Sequence, residues 1–207
     1  MRLKYKLSNK VFILLLILQS CVSKKNMLYM QDLQSFDISR VDNIQNTFQV
    51  NDILKIDITS LETKASIPYN KVSSAGVLGN SLELLKINGY LVSSNKTIIL
   101  PVLGEISVDG KTIYDLEAYL KNLLESEGHL INPNVSVRLL NSKVTILGEV
   151  NKPGTYSFTE NNISFLQALG LASDLTIDGD RKNIILIRES DGERSTTKLD
   201  LTSGSFL

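Results

Sequence analysis

A four-residue phrase occurs twice in this chain, and the two contexts agree. Leu103-Gly104-Glu105-Ile106 precedes a turn glycine at Gly110, and Leu147-Gly148-Glu149-Val150 precedes another at Gly154. Each copy closes an aliphatic run, passes through a glycine turn and leads toward a stretch with helical spacing. Repetition of such a context predicts two related strand-turn-helix units and therefore an α+β fold.

The first unit is expected to belong to a small domain over residues 47–141. A β-branched-rich run predicts a strand at 52–59, and the Pro-, Gly- and Ser-containing stretch 61–81 is expected to be a loop. Thr112 and Asp115 have the spacing of a helix N-cap, and Gly128 predicts that the helix ends near Glu127. Its apolar face is expected to contain Ile113, Leu116, Tyr119, Leu120, Leu123 and Leu124.

The second unit predicts a domain over residues 142–207, with a hairpin, a helix and another hairpin. The first hairpin is expected at 143–158, the helix at 163–172, and the second hairpin at 183–199 around Asp191-Gly192. This order of elements is typical of a β-grasp arrangement.

The N-terminus has the pattern of a bacterial lipoprotein signal. Four basic residues precede the apolar run 11–18, which is too short to cross a bilayer as a helix. Leu18-Gln19-Ser20-Cys21 resembles a lipobox, so residues 1–20 are expected to be removed and Cys21 to carry the lipid. Residues 21–46 are then expected to form a polar tether, with the alternative that this segment orders against neighbouring residues. Val22 follows the cysteine where an aspartate would favour the inner membrane, which implies the outer membrane, facing the periplasm.

Composition argues against nucleic acid as a partner. Cleavage takes away four of the 22 Lys and Arg residues and none of the 22 Asp and Glu residues, leaving 18 against 22 and a net charge of −4. Cys21 is the single cysteine and His129 the single histidine, so neither a disulfide nor a Cys/His metal site is expected, and no cofactor motif is present.

A longer ordered string resembles the polysaccharide export family. It contains Gly89-Tyr90-Leu91-Val92, the segment 98–112, Asn132-Pro133-Asn134-Val135, and the segment 144–156. The resemblance spans about 48–202 and implies an export domain followed by a soluble-ligand-binding β-grasp (SLBB) domain. Family members often have Ala-Gly-Gly where this chain has Ala172-Ser173-Asp174. Asp174 is therefore expected to adopt a positive φ, or else the turn differs.

The resemblance implies a component of capsular or exopolysaccharide export. Lipid-anchored copies would form a homo-oligomeric ring through which polysaccharide passes passively, with an inner-membrane polysaccharide co-polymerase as partner. Family chains typically continue with a further strand and an apolar helix. This sequence has no second apolar segment of about 20 residues, which predicts either a C-terminally truncated member or a ring whose membrane part is supplied by another protein.

Four side chains are candidate contacts to glycan or to a neighbouring subunit: Lys152, Tyr156, Arg181 and Lys182. Tyr156, with Phe158, could present aromatic surface to sugar rings, although strand residues of this kind are usually core. Arg181 and Lys182 could meet acidic groups, although solvated turn cations are the simpler interpretation.

Two other classes of function remain open. A periplasmic lipoprotein could bind glycan or protein without transporting it, and ring assembly separates this hypothesis from export. An enzyme is not expected. Glu105 and Glu149 could form the carboxylate pair of a glycosidase, but their equivalent places in two units favour structural roles, in which turn amides or a cation bind each carboxylate. His129 is expected to be a surface residue or a cap at the helix end.

Overall fold

A computed structural model describes residues 28–32, 46–71 and 81–204. In chain order the elements are β1 (Ile53–Thr59), α1 (Thr63–Ser66), a short 3₁₀ helix (Ile67–Tyr69), α2 (Leu82–Asn88), β2 (Tyr90–Leu91), β3 (Thr97–Leu100), β4 (Gly104–Ser107), α3 (Ile113–Ser126), β5 (Asn134–Leu139), β6 (Lys143–Ile146), β7 (Gly154–Ser157), α4 (Phe165–Leu171), β8 (Ile184–Ser190) and β9 (Glu193–Leu199). The α+β class is confirmed.

In the described part of the chain, the strands form four antiparallel sheets. The largest has the order β2-β1-β5, with Ile56 opposite Val137. The pairs β3-β4, β6-β7 and β8-β9 each form a separate two-stranded sheet. Hairpin, helix and hairpin therefore follow one another in the second half of the chain in the predicted order.

The described residues fall into two compact units. One contains residues 46–71, 81–174 and 190–193, and the other contains residues 28–32, 175–189 and 194–204. In the smaller unit, residues 30 and 31 pair with residues 201 and 202. The N–H of Met30 donates to the carbonyl of Leu201 at 2.9 Å, and the N–H of Gln31 donates to the carbonyl of Thr202 at 2.8 Å. The domain boundary at residue 142 stays a prediction.

The core of the larger unit lies between the three-stranded sheet, the β3-β4 hairpin and α3. Every fourth residue of α3 faces it, so a single helix stripe supplies three buried leucines. Each such side chain contributes roughly 1.5–3 kcal/mol. Among the least exposed members are Leu54, Ile58, Val92, Ile98, Leu116, Leu120 and Leu124.

Helix α3 begins and ends as the sequence predicts. Thr112 Oγ1 accepts the N–H of Asp115 at 3.2 Å, and Asp115 Oδ2 accepts the N–H of Thr112 at 3.0 Å, which completes a capping box. The C-cap is Glu127, and Gly128 has φ +73°. Tyr119 departs from the predicted apolar face: it is 42% exposed, and its ring lies 5.3 Å from Lys111 Nζ.

Two stretches differ from expectation. The predicted loop 61–81 contains α1 and the 3₁₀ helix, because Tyr69 is buried and the Asn70 side chain binds β1. Helix α2 follows Ser81, whose hydroxyl accepts the N–H of Leu84, and it was not predicted. Residues 72–80 lie outside the described part.

The repeated phrase takes different positions in its two hairpins. Gly104, with φ +72°, opens β4 directly after the tight turn 101–103. Gly148, with φ +97°, lies within the longer loop 147–153 between β6 and β7. Both glycines need the left-handed conformation. The prediction of two hairpin-to-helix units is confirmed, but the two copies are not equivalent in register.

Candidate functional site

The structure brings Lys152 and Tyr156 together in the β6-β7 hairpin. The Tyr156 hydroxyl donates a hydrogen bond to the Lys152 carbonyl, which ties the strand to its own loop. The Lys152 side chain is exposed, whereas Tyr156 is half-buried and so is Phe158. Lys152 thus presents an exposed cation on this loop, and the half-buried Tyr156 contacts both the loop and solvent.

The loop that carries Lys152 is held by the end of α4. The N–H groups of Asn151 and Lys152 donate to the carbonyls of Asp174 and Ala172, both at 2.9 Å. Ser173 and Asp174 reach this position with φ values of +59° and +71°. The expected positive φ of Asp174 is confirmed. Aspartate tolerates this conformation better than most residues, which explains how the chain dispenses with glycine at position 174.

Arg181 is not a solvated turn cation, and that expectation is wrong. It is only 7% exposed: its Nη1 donates to Gly179 C=O at 3.1 Å, and its guanidinium lies 5.4 Å from the Tyr29 ring centre. Among the described residues, Arg181 Nε is a buried side-chain nitrogen with no hydrogen-bond partner. Its neighbour Lys182 is exposed, and the N–H of Lys182 donates to Asp180. Arg181 and Lys182 belong to the smaller unit, whereas Lys152 and Tyr156 belong to the larger one.

The two glutamates of the repeated phrase lie in different hairpins. Glu105 is an exposed residue of β4 opposite Ile99, and it accepts no hydrogen bond from the described residues. Within the described part of the chain, no turn amide or cation binds Glu105, so the structure gives no support to the expected role there. Glu149 is exposed in the β6-β7 loop. The two carboxylates therefore belong to separate two-stranded hairpins, β3-β4 and β6-β7.

His129 makes more contacts than a surface residue or a helix cap would. Its Nδ1 lies 3.1 Å from the Tyr69 hydroxyl and its Nε2 lies 3.1 Å from Glu127 Oε2. The Tyr69 and His129 rings meet edge to face with centres 5.6 Å apart. His129 therefore joins the 3₁₀ helix to the end of α3, a bridging role that we did not expect.

A polar cleft lies beside the start of α3. Its volume is about 440 Å³, and its walls are the first turns of α3, the free edge of β5 and the loop 159–161, all within the larger unit. We call it the α3-β5 cleft. The polar or aromatic residues that line it are Tyr114, Glu117, Ser136, Arg138, Thr159, Glu160 and Asn161.

The geometry of the cleft depends on the helix start and on one carboxylate. The capping box fixes the first turn of α3, and the hydrogen bonds from Thr112 hold the pKa of Asp115 below its usual range. One turn further, Glu117 Oε1 accepts the N–H of Val137 at 2.8 Å. Tyr114 lies in the first turn of α3, and its side chain is 55% exposed.

Sequence reasoning missed this cleft. A usable signal was present, because Tyr114 falls outside the predicted apolar face of α3 and is thus an aromatic ring facing solvent. The cleft also combines residues about 20 positions apart on α3 and β5 with a loop about 20 positions further on. Only tertiary structure brings such segments together.

The lipid-attachment candidate Cys21 lies outside the described residues. Across residues 28–32, 46–71 and 81–204, no helix combines the length and the apolar character that crossing a bilayer requires.

Comparison with known proteins identifies both halves. Residues 42–140 match the family described as polysaccharide biosynthesis/export protein, and residues 143–197 match the SLBB domain. The chain belongs to the polysaccharide biosynthesis/export family and carries an SLBB domain after the export domain. The resemblance seen in the sequence is confirmed.

A curated relative is similar over part of this chain. It is the EPS I polysaccharide export outer membrane protein EpsA of Ralstonia nicotianae, 31% identical over 106 residues. The match covers 49% of this chain and 27% of the relative. The chain thus matches about a quarter of that protein's length.

Proposed function

We propose that this protein is an outer-membrane lipoprotein of capsular or exopolysaccharide export, and that its copies form a ring-like periplasmic conduit. The observation that carries the proposal is the tandem match, in which the export segment ends at residue 140 and the SLBB segment begins at 143. The similarity to a polysaccharide export outer membrane protein supports the same role.

The N-terminal sequence supports the location. A basic, then apolar, leader ends at Ser20, directly before Cys21, and acylation of Cys21 would anchor the protein firmly, because each buried methylene contributes roughly 0.8 kcal/mol. The lipid would hold the folded part, in which Met30 and Gln31 pair with Leu201 and Thr202, on the periplasmic side. The expected partners are further copies of this chain, an inner-membrane polysaccharide co-polymerase and the polysaccharide itself.

The protein would act by binding and guiding, with no bond made or broken. The proposed contacts to glycan or to a neighbouring subunit are the exposed side chains of Lys152 and Lys182. The loop of Lys152 is held by backbone hydrogen bonds to the end of α4, and Tyr156 adds half-buried aromatic surface. Arg181 has a different role in this proposal: its buried guanidinium holds the turn 176–181 and thereby the exposed Lys182.

The test combines genetics with particle mass. In cells lacking the gene, surface polysaccharide should fall to background and return with the wild-type chain. Cys21→Ser should leave the protein unacylated and fail to restore it. The acylated protein, extracted in mild detergent, should give a closed oligomer by native mass spectrometry and particle imaging. Normal surface polysaccharide in the deletion strain would refute the export role.

A second candidate function is a non-transporting binding lipoprotein. The α3-β5 cleft favours this function, because all the residues that line it belong to one compact unit of a single chain. The native mass decides between them. A stable monomer at micromolar concentration, together with unchanged export, would favour the binding module, whereas a closed ring would favour the conduit.

A further inference from the structure

The α3-β5 cleft has a composition suited to sugar. Tyr114 contributes an aromatic ring, Glu117 and Glu160 contribute carboxylates, Arg138 a guanidinium and Asn161 an amide. Most small-molecule sites are lined mainly by apolar groups, and this one is not, although its volume of about 440 Å³ is within their usual range. An apolar ligand would leave these charges without water or partners, at high cost.

Each of these groups matches a feature of a sugar ring. Hydroxyl groups both donate and accept hydrogen bonds, so they can bind carboxylate, guanidinium and amide side chains. A ring face made of C–H groups can pack on an aromatic side chain, and Tyr114, which is 55% exposed, has its ring available for this contact. Arg138 is exposed and forms no ion pair with the described residues, so its donors are available as well.

Glu117 is preorganised, and its position argues against a protein strand as the occupant. β5 is an edge strand, and an open edge could accept a strand from a partner. The outward N–H of Val137 is already bound by Glu117 Oε1 at 2.8 Å, which blocks a ladder hydrogen bond in the middle of that edge. The second oxygen, Oε2, accepts nothing from the described residues and points to a ligand-binding role.

We propose that the α3-β5 cleft binds a short segment of the exported glycan, with Tyr114 packed on a sugar ring and Glu117, Arg138 and Glu160 hydrogen-bonded to its hydroxyl groups. This inference rests on the proposed export function and adds a contact site to it. Two carboxylates against one guanidinium disfavour a strongly anionic chain, so the ligand is a neutral or weakly charged glycan. Exposure of the ring and of Arg138 suits transient binding of a passing chain.

The chain contains no tryptophan, which provides a clean reporter. Tyr114→Trp in the full-length, detergent-extracted protein would place a single indole in the cleft while keeping an aromatic face. The matched control is Tyr119→Trp, since Tyr119 is 42% exposed on the same helix and does not line the cleft. The probes are maltohexaose, hexagalacturonate, and oligosaccharides from partial hydrolysis of the producing cell's surface polysaccharide.

We expect neutral oligosaccharides to shift the indole emission of Tyr114→Trp saturably and to leave that of Tyr119→Trp unchanged. Hexagalacturonate should bind about fivefold more weakly. By calorimetry, Tyr114→Ala and Arg138→Ala should each weaken binding about tenfold relative to wild type. Emission that changes with protein concentration in the absence of sugar would show a second copy in the cleft and overturn the proposal. The absence of a shift with every probe would overturn it too.

Failure of the cleft and failure of the export role give different results. If Tyr114→Ala restores normal surface polysaccharide in the deletion strain and no probe binds, the cleft proposal fails while the export role stands. If the deletion itself leaves surface polysaccharide unchanged, the export role fails whatever the binding data show.

Discussion

Asn70 binds both backbone polar groups of Ile58 through its side-chain amide. Its Oδ1 accepts the N–H of Ile58 at 2.9 Å, and its Nδ2 donates to the Ile58 carbonyl at 2.8 Å. β2 pairs with β1 at Ile53 and Leu54, and no strand among the described residues covers this edge of β1 at Ile58. The Asn70 amide therefore takes the place of a neighbouring strand for one residue.

Removing this amide should be costly, because Ile58 is 1% exposed and its backbone groups would lose their partners. A buried unsatisfied donor or acceptor costs about 1–3 kcal/mol. We expect Asn70→Ala to lower the free energy of unfolding by about 2 kcal/mol, measured by urea denaturation followed by circular dichroism. Asn95→Ala is the control, since that side chain is exposed and forms no hydrogen bond with the described residues. Equal effects of the two variants would contradict the role given to Asn70.

Core packing on α3 allows a second prediction. Leu120 is fully buried, one turn from both Leu116 and Leu124 on the same face of α3, and its truncation would leave a cavity in the core. We expect Leu120→Ala to cost about 2–5 kcal/mol in the free energy of unfolding. Lys121→Ala, at the adjacent exposed position, should change it by less than about 0.5 kcal/mol. A loss below about 1 kcal/mol for Leu120→Ala would mean that α3 is not the central helix of this core.

Local signals explain what the sequence could predict. The spacing of Thr112 and Asp115 predicts where α3 begins, and the spacing of its leucines predicts its apolar face. Both signals lie within one segment, and the structure agrees with them. The contacts of Asn70 with Ile58, and of Glu117 with Val137, join residues 12 and 20 positions apart and have no local pattern. The burial of Arg181 likewise depends on a segment at the other end of the chain, which contains Tyr29. Side-chain environments made by distant segments are therefore what sequence reasoning missed.

Lys96 forms ion pairs with two carboxylates, 2.6 Å from Asp191 and 3.0 Å from Asp109. Asp191 and Asp109 raise the pKa of Lys96, and Lys96 lowers the pKa of Asp191. A lowered carboxyl pKa contributes stability that is present above the unfolded pKa of about 3.9 and is lost as the pH falls through the lower, folded value. A raised lysine pKa contributes stability that is present below about 10.4 and is lost as the pH rises through the folded value.

Asp191→Asn should therefore be less stable than wild type at neutral pH. The difference should disappear once the pH has fallen through the lowered folded pKa of Asp191, because the carboxylate is then protonated in both states, and it should shrink in high salt because the Asp191 side chain is 51% exposed. Urea denaturation across pH and ionic strength measures it. Asp178→Asn is the control, because Asp178 has no ion pair with the described residues. A deficit for Asp191→Asn that persists unchanged in strong acid would exclude the ion pair as its cause.

Val102 occupies a conformation that a β-branched residue rarely adopts. It has φ +67° in the turn between β3 and β4, and its side chain is 61% exposed, so little burial compensates for the strain. The left-handed region costs an L-residue roughly 1–2 kcal/mol, whereas glycine adopts it without this cost but loses more entropy on folding. We expect Val102→Gly to raise the free energy of unfolding by about 0.5–1 kcal/mol net.

The control is Val50→Gly, an exposed valine whose φ is not positive. That variant should be destabilised by about 0.5–1 kcal/mol, since glycine there adds freedom to the unfolded chain and relieves no strain. Urea denaturation of the two variants side by side gives the opposite signs that the backbone argument requires. Destabilisation of both variants would mean that the side chain of Val102 stabilises the β3-β4 turn by more than its left-handed backbone conformation costs. If Val102→Gly is more stable but yields fewer closed oligomers, the strained, exposed valine is a contact between subunits of the proposed ring.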